Sequence, residues 1–148
     1  MLVDFMLASL HHLFVVVLIA ALSVEVALVR SPFEPDRLKR LLIIDALYGV
    51  SAGLLFVVGV GRLIWGLKGW DYYAGNHAFW VKMALFIVIG LLSIRPTLVY
   101  RRWQRAVENG GQSPSGKDVA SIRRYLHLQA SLLLMIPIIA AAMARGLG

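Results

Sequence analysis

The chain has 148 residues, 59% of them hydrophobic and only 16% charged, with a net charge of +7, four histidines and no cysteine. Soluble domains carry about 25% charged and about 45–50% apolar residues, so the composition excludes an ordinary water-soluble domain and points to lipid as the solvent. The positive charges lie between apolar runs, which argues against nucleic acid as a partner, and the lack of cysteine excludes disulfides, iron–sulfur clusters and thiolate haem ligation.

The first predicted helix covers about residues 5–29, more than the ~20 residues needed to cross a hydrocarbon core ~30 Å thick. Asp4 stands where a signal peptide would have a basic start, and no small-residue cleavage site follows. The segment therefore reads as a retained helix. Two prolines and clustered charge in RSPFEPDRLKR, residues 30–40, break the apolar pattern. The second helix is predicted at about 41–67 and contains Gly49, Gly53, Gly59, Gly61 and Gly66. Gly49 and Gly53 form a small-xxx-small pair that lets a neighbouring helix approach closely. Gly59 and Gly61 have a second reading, as room for a flat cofactor. KGWDYYAGNH, residues 68–77, reads as a loop whose Trp70, Tyr72 and Tyr73 belong at a membrane–water boundary. The third helix, about 78–100, meets Arg95 and Pro96 late in its course. Residues 101–124 are the longest polar segment, with the turn ENGGQSPSGKD between basic helix ends. The fourth helix covers about 125–143 and tolerates Pro137.

Lys and Arg near the span ends predict the orientation. Residues 30–40 hold Arg30, Arg37, Lys39 and Arg40; residues 101–124 hold Arg101, Arg102, Arg105, Lys117, Arg123 and Arg124. The 68–77 segment has only Lys68, and the N-terminus has none. By the positive-inside rule the two basic loops face the cytoplasm, and both termini face outward.

An ionisable residue at the centre of a lipid-facing helix costs about 2.5–3.5 kcal/mol, so such residues should turn inward, pair, or sit near an interface. Here they form an outer layer of His11, His12, Arg62, His77 and Lys82, and an inner layer of Glu25, Asp45, Arg95 and His127. At 1.5 Å rise per residue the layers are roughly 20 Å apart. Asp4, His11, Leu18 and Glu25 recur every seven residues and share one helix face. If Glu25 faces the bundle, His11 does too, while His12 points about 100° away. The inner layer is expected to be a salt-bridge network in which Glu25 and Asp45 meet Arg95 or His127. The outer layer suits an anionic ligand, or else snorkelling of Arg62 and Lys82 to headgroups. His11 and His127 are too far apart to clamp one iron. A single axial histidine remains open, as does His11 or His12 paired with His77 or Lys82. No phosphate loop, nucleophile elbow or metal-spaced His/Glu motif is present.

The run LHHLFVVVLIAALSVEVALVR resembles the opening helix of the HemJ-type membrane protoporphyrinogen oxidases, where a histidine and a small-residue-rich apolar run precede a basic loop. FWVKMALF, with Lys82, resembles that family's tryptophan-to-lysine start of a later helix, and the glycine-rich second helix is also similar. The resemblance implies haem b held by a first-helix histidine: His12 by the His-Leu match, against His11 by the helix-face argument. It also implies Lys82 as a partner of propionates or a catalytic residue. LSIRPT, the acids Glu25 and Asp45 and the short chain depart from that pattern. Through IDALYGVSAG, VGRLIWGLKG, YYAGNHAFWVK, LSIRPT and MARG, nearly the whole sequence resembles a bacterial family of small four-helix membrane proteins without an assigned function.

These readings predict one all-α domain over residues 1–148, an integral membrane four-helix up-down-up-down bundle with both termini on the outer side of a bacterial inner membrane. The expected function is binding of haem b or another tetrapyrrole, with redox chemistry on a porphyrin-like substrate as its enzymatic form. His11 or His12 is the expected metal ligand, Arg62 and His77 complete the cofactor site, and Lys82 is the catalytic candidate. The alternative is a non-enzymatic membrane subunit or small transporter whose buried charges serve assembly or a solute path. Expected partners are the lipid bilayer, a porphyrin-like ligand, and a second copy or another membrane subunit.

Overall fold

The computed structural model describes residues 2–30, 33–65 and 69–145. In chain order the elements are α1 (Leu2–Leu28), α2 (Pro35–Trp65), a short α3 (Gly69–Ala74), α4 (His77–Glu108) and α5 (Gly116–Ala144). The four long helices are each apolar and long enough to cross a membrane. Most of the segment expected as a loop at 68–77 is helical in α3, with a break only at Gly75 and Asn76. Gly66, Lys68 and the expected span end at 67 lie outside the described residues, as does the side chain of Tyr72.

The helices overrun the predicted apolar spans, most of all at the charged ends of α4 and α5. Hydropathy marks the part of a helix that suits lipid, whereas the helix itself continues through Arg, Lys, Gln and Glu, which are good helix formers. Local signals set the ends. Pro35 occupies the first position of α2, where its missing N–H costs nothing. Asn76 caps α4 by accepting from the Phe79 N–H at 3.3 Å. α4 ends in a Schellman motif: the Gly110 N–H donates to Val107 O at 3.1 Å and the Gly111 N–H to Ala106 O at 2.8 Å. Gly110 adopts φ +72°, which glycine reaches without strain. Ser115 then starts α5, accepting from the Asp118 N–H at 3.3 Å and donating to its carboxylate at 2.6 Å. Pro96 and Pro137 lie inside α4 and α5 without ending them.

α1 packs most extensively on α2, and α4 on α5; the two pairs meet along sparser seams. Leu18, Leu22, Leu41, Tyr100 and Leu126 are fully buried between the helices. The outer faces carry large exposed apolar side chains, among them Leu13, Val16, Val57, Leu91 and Ile138. An apolar surface this continuous suits lipid tails, not water.

Gly49 and Gly53, expected at a close helix contact, face open space: a Cβ at either would meet nothing within 4 Å. The glycines that face α1 are further along α2. A Cβ at Gly59 would stand 4.0 Å from the His11 ring, and one at Gly61 would stand 3.6 Å from Leu7. Replacing Gly49 or Gly53 by Ala should therefore leave the bundle unchanged or stabilise it by up to about 1 kcal/mol, the helix deficit of glycine relative to alanine. Reversible unfolding in mixed detergent micelles measures this. Destabilisation of that size at either position would show that this face is packed after all.

Candidate functional site

Two polar clusters lie within the bundle. The first surrounds a pocket reached by all four long helices, with His11 from α1, Arg62 from α2, Lys82 from α4 and Pro137 from α5. Leu18, Leu55, Phe56 and Phe86 give it an apolar body, and the cavity volume is about 120 Å³. Phe56 and Phe86 stack with centroids 6.4 Å apart, bridging α2 and α4. His11 Nδ1 and Arg62 Nε are buried and have no hydrogen-bond partner among the described residues. Lys82 Nζ stands 5.7 Å from the centroid of the Phe79 ring, a cation–π distance. His11, Arg62 and Lys82 are within electrostatic reach of one another.

Three of the five residues expected in the outer layer thus converge, and two do not. His12 is exposed, its Nδ1 donating to the Ala8 carbonyl at 2.7 Å, and its ring stands edge-on to His11 at 6.1 Å. Adjacent residues on a helix point about 100° apart, so one histidine enters the pocket and the other leaves it. His77 opens α4 as an exposed residue and takes no part in the pocket wall. Among the described residues no group of three or more His, Cys, Asp or Glu side chains is placed to hold a metal ion.

The second cluster comprises Glu25 of α1, Asp45 and Tyr48 of α2, Tyr100 of α4 and Gln129 of α5, all buried. The Tyr100 hydroxyl donates to Glu25 Oε2 at 3.3 Å, and Thr97 donates to Asp45 Oδ1 at 2.8 Å. Gln129 Nε2 donates to the Tyr48 hydroxyl at 2.9 Å. Glu25 Oε1 and Gln129 Oε1 are buried without a hydrogen-bond partner among the described residues. The expected inner salt-bridge network does not form: hydroxyls, not Arg95 or His127, meet the two acids. Arg95 lies exposed over the Tyr125 ring, 4.3 Å from its centroid, and donates to its hydroxyl. His127, also exposed, accepts from Arg123 Nε at 3.4 Å. Helix geometry explains the correction. At 100° per residue, Arg95 lies about 140° around α4 from the buried Tyr100, and His127 about 160° around α5 from the buried Gln129. Weighing only ionisable groups passes over Tyr48, Thr97, Tyr100 and Gln129. Their signal in the sequence is an uncharged polar residue inside an apolar run, as with the tyrosine of IDALYGVSAG.

A family model described as predicted membrane protein (DUF2214) matches residues 3–148. The chain belongs to this family. No curated protein and no solved structure matches it. As a DUF2214 protein with four helices of membrane-spanning length, it is a multi-pass membrane protein in contact with the lipid bilayer.

The Tyr48–Gln129 bond ties α2 to α5 inside this DUF2214 bundle. Tyr48→Phe should cost about 1–2 kcal/mol, because the Gln129 amide then loses its remaining partner. Adding Gln129→Leu should recover most of that loss, since the apolar pair leaves nothing unsatisfied. A double-mutant cycle read by unfolding in detergent checks it, and strict additivity would show that the two groups do not interact.

Proposed function

We propose that the pocket of His11, Arg62 and Lys82 binds an amphipathic anion with a flat apolar body, and that this ligand is a tetrapyrrole, haem b in the first instance. One observation carries the reading: His11 Nδ1 and Arg62 Nε are buried at a largely apolar cavity with no hydrogen-bond partner among the described residues. An unpartnered buried polar group costs about 1–3 kcal/mol, which a ligand presenting matching groups would recover. Arg62 and Lys82 complement carboxylates, Phe56 and Phe86 offer apolar surface, and His11 offers one imidazole to a metal. His11 is preferred to His12, whose ring is outside the pocket and engaged with Ala8.

The donor set fits the group; the cavity volume sets a condition. About 120 Å³ is comparable to a cavity that holds one benzene ring. A macrocycle therefore requires α2 and α4 to part at their sparse seam, where Phe56 meets Phe86. Bound haem would supply electron-transfer chemistry, while the protein supplies position and charge. In an enzymatic form, Lys82 is the residue beside a porphyrin-like substrate.

The visible spectrum of the purified protein, from haem-replete cells and after titration with haem, tests the proposal. The expected result is a Soret band that disappears in His11→Ala, persists in His12→Ala and titrates more weakly in Lys82→Ala, with the helical content unchanged. A colourless protein that takes up no added haem would overturn the tetrapyrrole reading and favour a non-enzymatic subunit or small transporter.

The proposed orientation is up-down-up-down in a bacterial inner membrane, with residues 30–40 and 101–124 cytoplasmic and both termini outside. It rests on the Lys and Arg residues of those two segments. Because the chain has no cysteine, single cysteines report without background. A membrane-impermeant thiol reagent should label Gly75→Cys on intact cells, and Gln112→Cys only after permeabilisation. The reverse pattern would refute the orientation.

A further inference from the structure

Glu25 and Asp45 form a buried acidic pair that the ligand pocket does not use. Glu25 is 2% exposed and Asp45 9%. Neither carboxylate makes an ion pair among the described residues, and each receives one side-chain hydroxyl, from Tyr100 and Thr97 respectively. Two further atoms bear on the site: Glu25 Oε1 and Gln129 Oε1 are both acceptors and both without a partner among the described residues, on residues 2% and 1% exposed. Gln129 is held by its other end, through Nε2 on the Tyr48 hydroxyl. Around Glu25 the cluster is therefore rich in acceptors and short of donors. Thr97 and Tyr100, one turn apart on α4, hold the two carboxylates side by side, and two neighbouring carboxylates do not both ionise readily. A proton on Glu25 removes one buried charge and creates an O–H donor where acceptors are in excess.

We propose that Glu25 is the proton-holding residue of this pair, and that Asp45 is the route by which protons reach it. Asp45 also lines an open groove of about 660 Å³ between α2 and α4, together with Thr97, Gln104, Arg101 and Arg105. Asp45 thus faces the groove while its Thr97 partner lies one turn along α4 from Tyr100, the partner of Glu25. A proton arriving from water in the groove converts the Asp45 carboxylate to the acid; its transfer to Glu25 regenerates that carboxylate, and nothing is oxidised or reduced. The titratable groups facing the pair are Tyr48 from α2 and Tyr100 from α4, with Arg101 acting on Asp45 from the groove; α5 contributes the neutral Gln129. The site is independent of the ligand pocket: His11 and Glu25 are about 21 Å apart along α1.

Infrared difference spectroscopy of the full chain in lipid nanodiscs tests the proposal. At neutral pH the wild type should show the carbonyl stretch of a buried carboxylic acid, shifted in D₂O and lost in Glu25→Gln. Asp45→Asn should keep the band but slow its response to a pH jump. Absence of the band from the wild type at neutral pH, or its survival in Glu25→Gln, would overturn the assignment. A band that emerges only when sodium is replaced by choline would also overturn it, in favour of a metal-cation site. An unaltered pH-jump response in Asp45→Asn would overturn the route. Circular dichroism checks that Glu25→Gln is folded. If it is not, Glu25→Asp keeps the acid and should shift the band, and an unshifted band then counts against Glu25.

Discussion

With lipid against the outer faces of α1, α2, α4 and α5, a polar side chain within a span has no water to turn to. It must find a partner between the helices or reach an end. That constraint gives the arrangement of the DUF2214 bundle its logic. The helices present Leu, Val and Ile outward, and among the described residues most of the inward-facing ionisable side chains collect in two places: the His11–Arg62–Lys82 pocket and the Glu25–Asp45 network. Since apolar packing between helices has little hydrophobic drive in lipid, these polar contacts and close van der Waals fit carry more of the specificity than they would in a soluble bundle.

The inner cluster shows how the constraint is met without ion pairs. A buried salt bridge must offset the desolvation of two charges, and attraction alone often fails to do so. Here the acids are met by Tyr100 and Thr97, while the cation expected beside them, Arg95, lies over Tyr125 on an exposed face. The guanidinium is satisfied by an aromatic face and a hydroxyl at a cost far below that of full burial. Hydroxyl partners have a second consequence. A hydroxyl can donate to a carboxylate and accept from a carboxylic acid, so the network tolerates either protonation state of Glu25. A guanidinium partner would favour only the ionised one.

The four spans were legible because apolar runs of membrane length are a strong signal, but the helix ends were not, because Asn76 and Ser115 set them through local caps that hydropathy does not register. The heptad of Asp4, His11, Leu18 and Glu25 was also legible. Leu18 and Glu25 are buried and His11 lines the pocket, as one shared face requires. What one helix alone cannot reveal is its rotation relative to its neighbours. Depth along a span follows from residue number, but Arg95 and Tyr100 are at nearby depths and face nearly opposite ways. Pairing by depth therefore misassigned Arg95 and His127 to the acids. The small-residue spacing of Gly49 and Gly53 failed for the same reason, since spacing identifies a smooth face without saying what covers it. Helix α3 was hidden because its six residues include glycine and aromatic residues that resemble a boundary loop.

The separation of the two clusters constrains how they can communicate. Between them the four helices contribute Leu18, Leu55, Ile89 and Leu133, all buried and all aliphatic. These four side chains carry no hydroxyl, amide or carboxylate, and on α2 the polar group nearest them is the buried Ser51 hydroxyl, one turn from Tyr48. The elements common to both sites are α2 and α4. They carry Asp45, Tyr48 and Tyr100 at one level and Arg62, Lys82, Phe56 and Phe86 at the other. They also meet along a sparse seam, the one that would have to part for the proposed tetrapyrrole to enter. Displacing α4 relative to α2 would change the Thr97–Asp45 contact at the same time, because that bond spans the same seam. Any influence of ligand on the acid pair, or of the acid pair on ligand, therefore runs through movement of these two helices and is reciprocal in free energy.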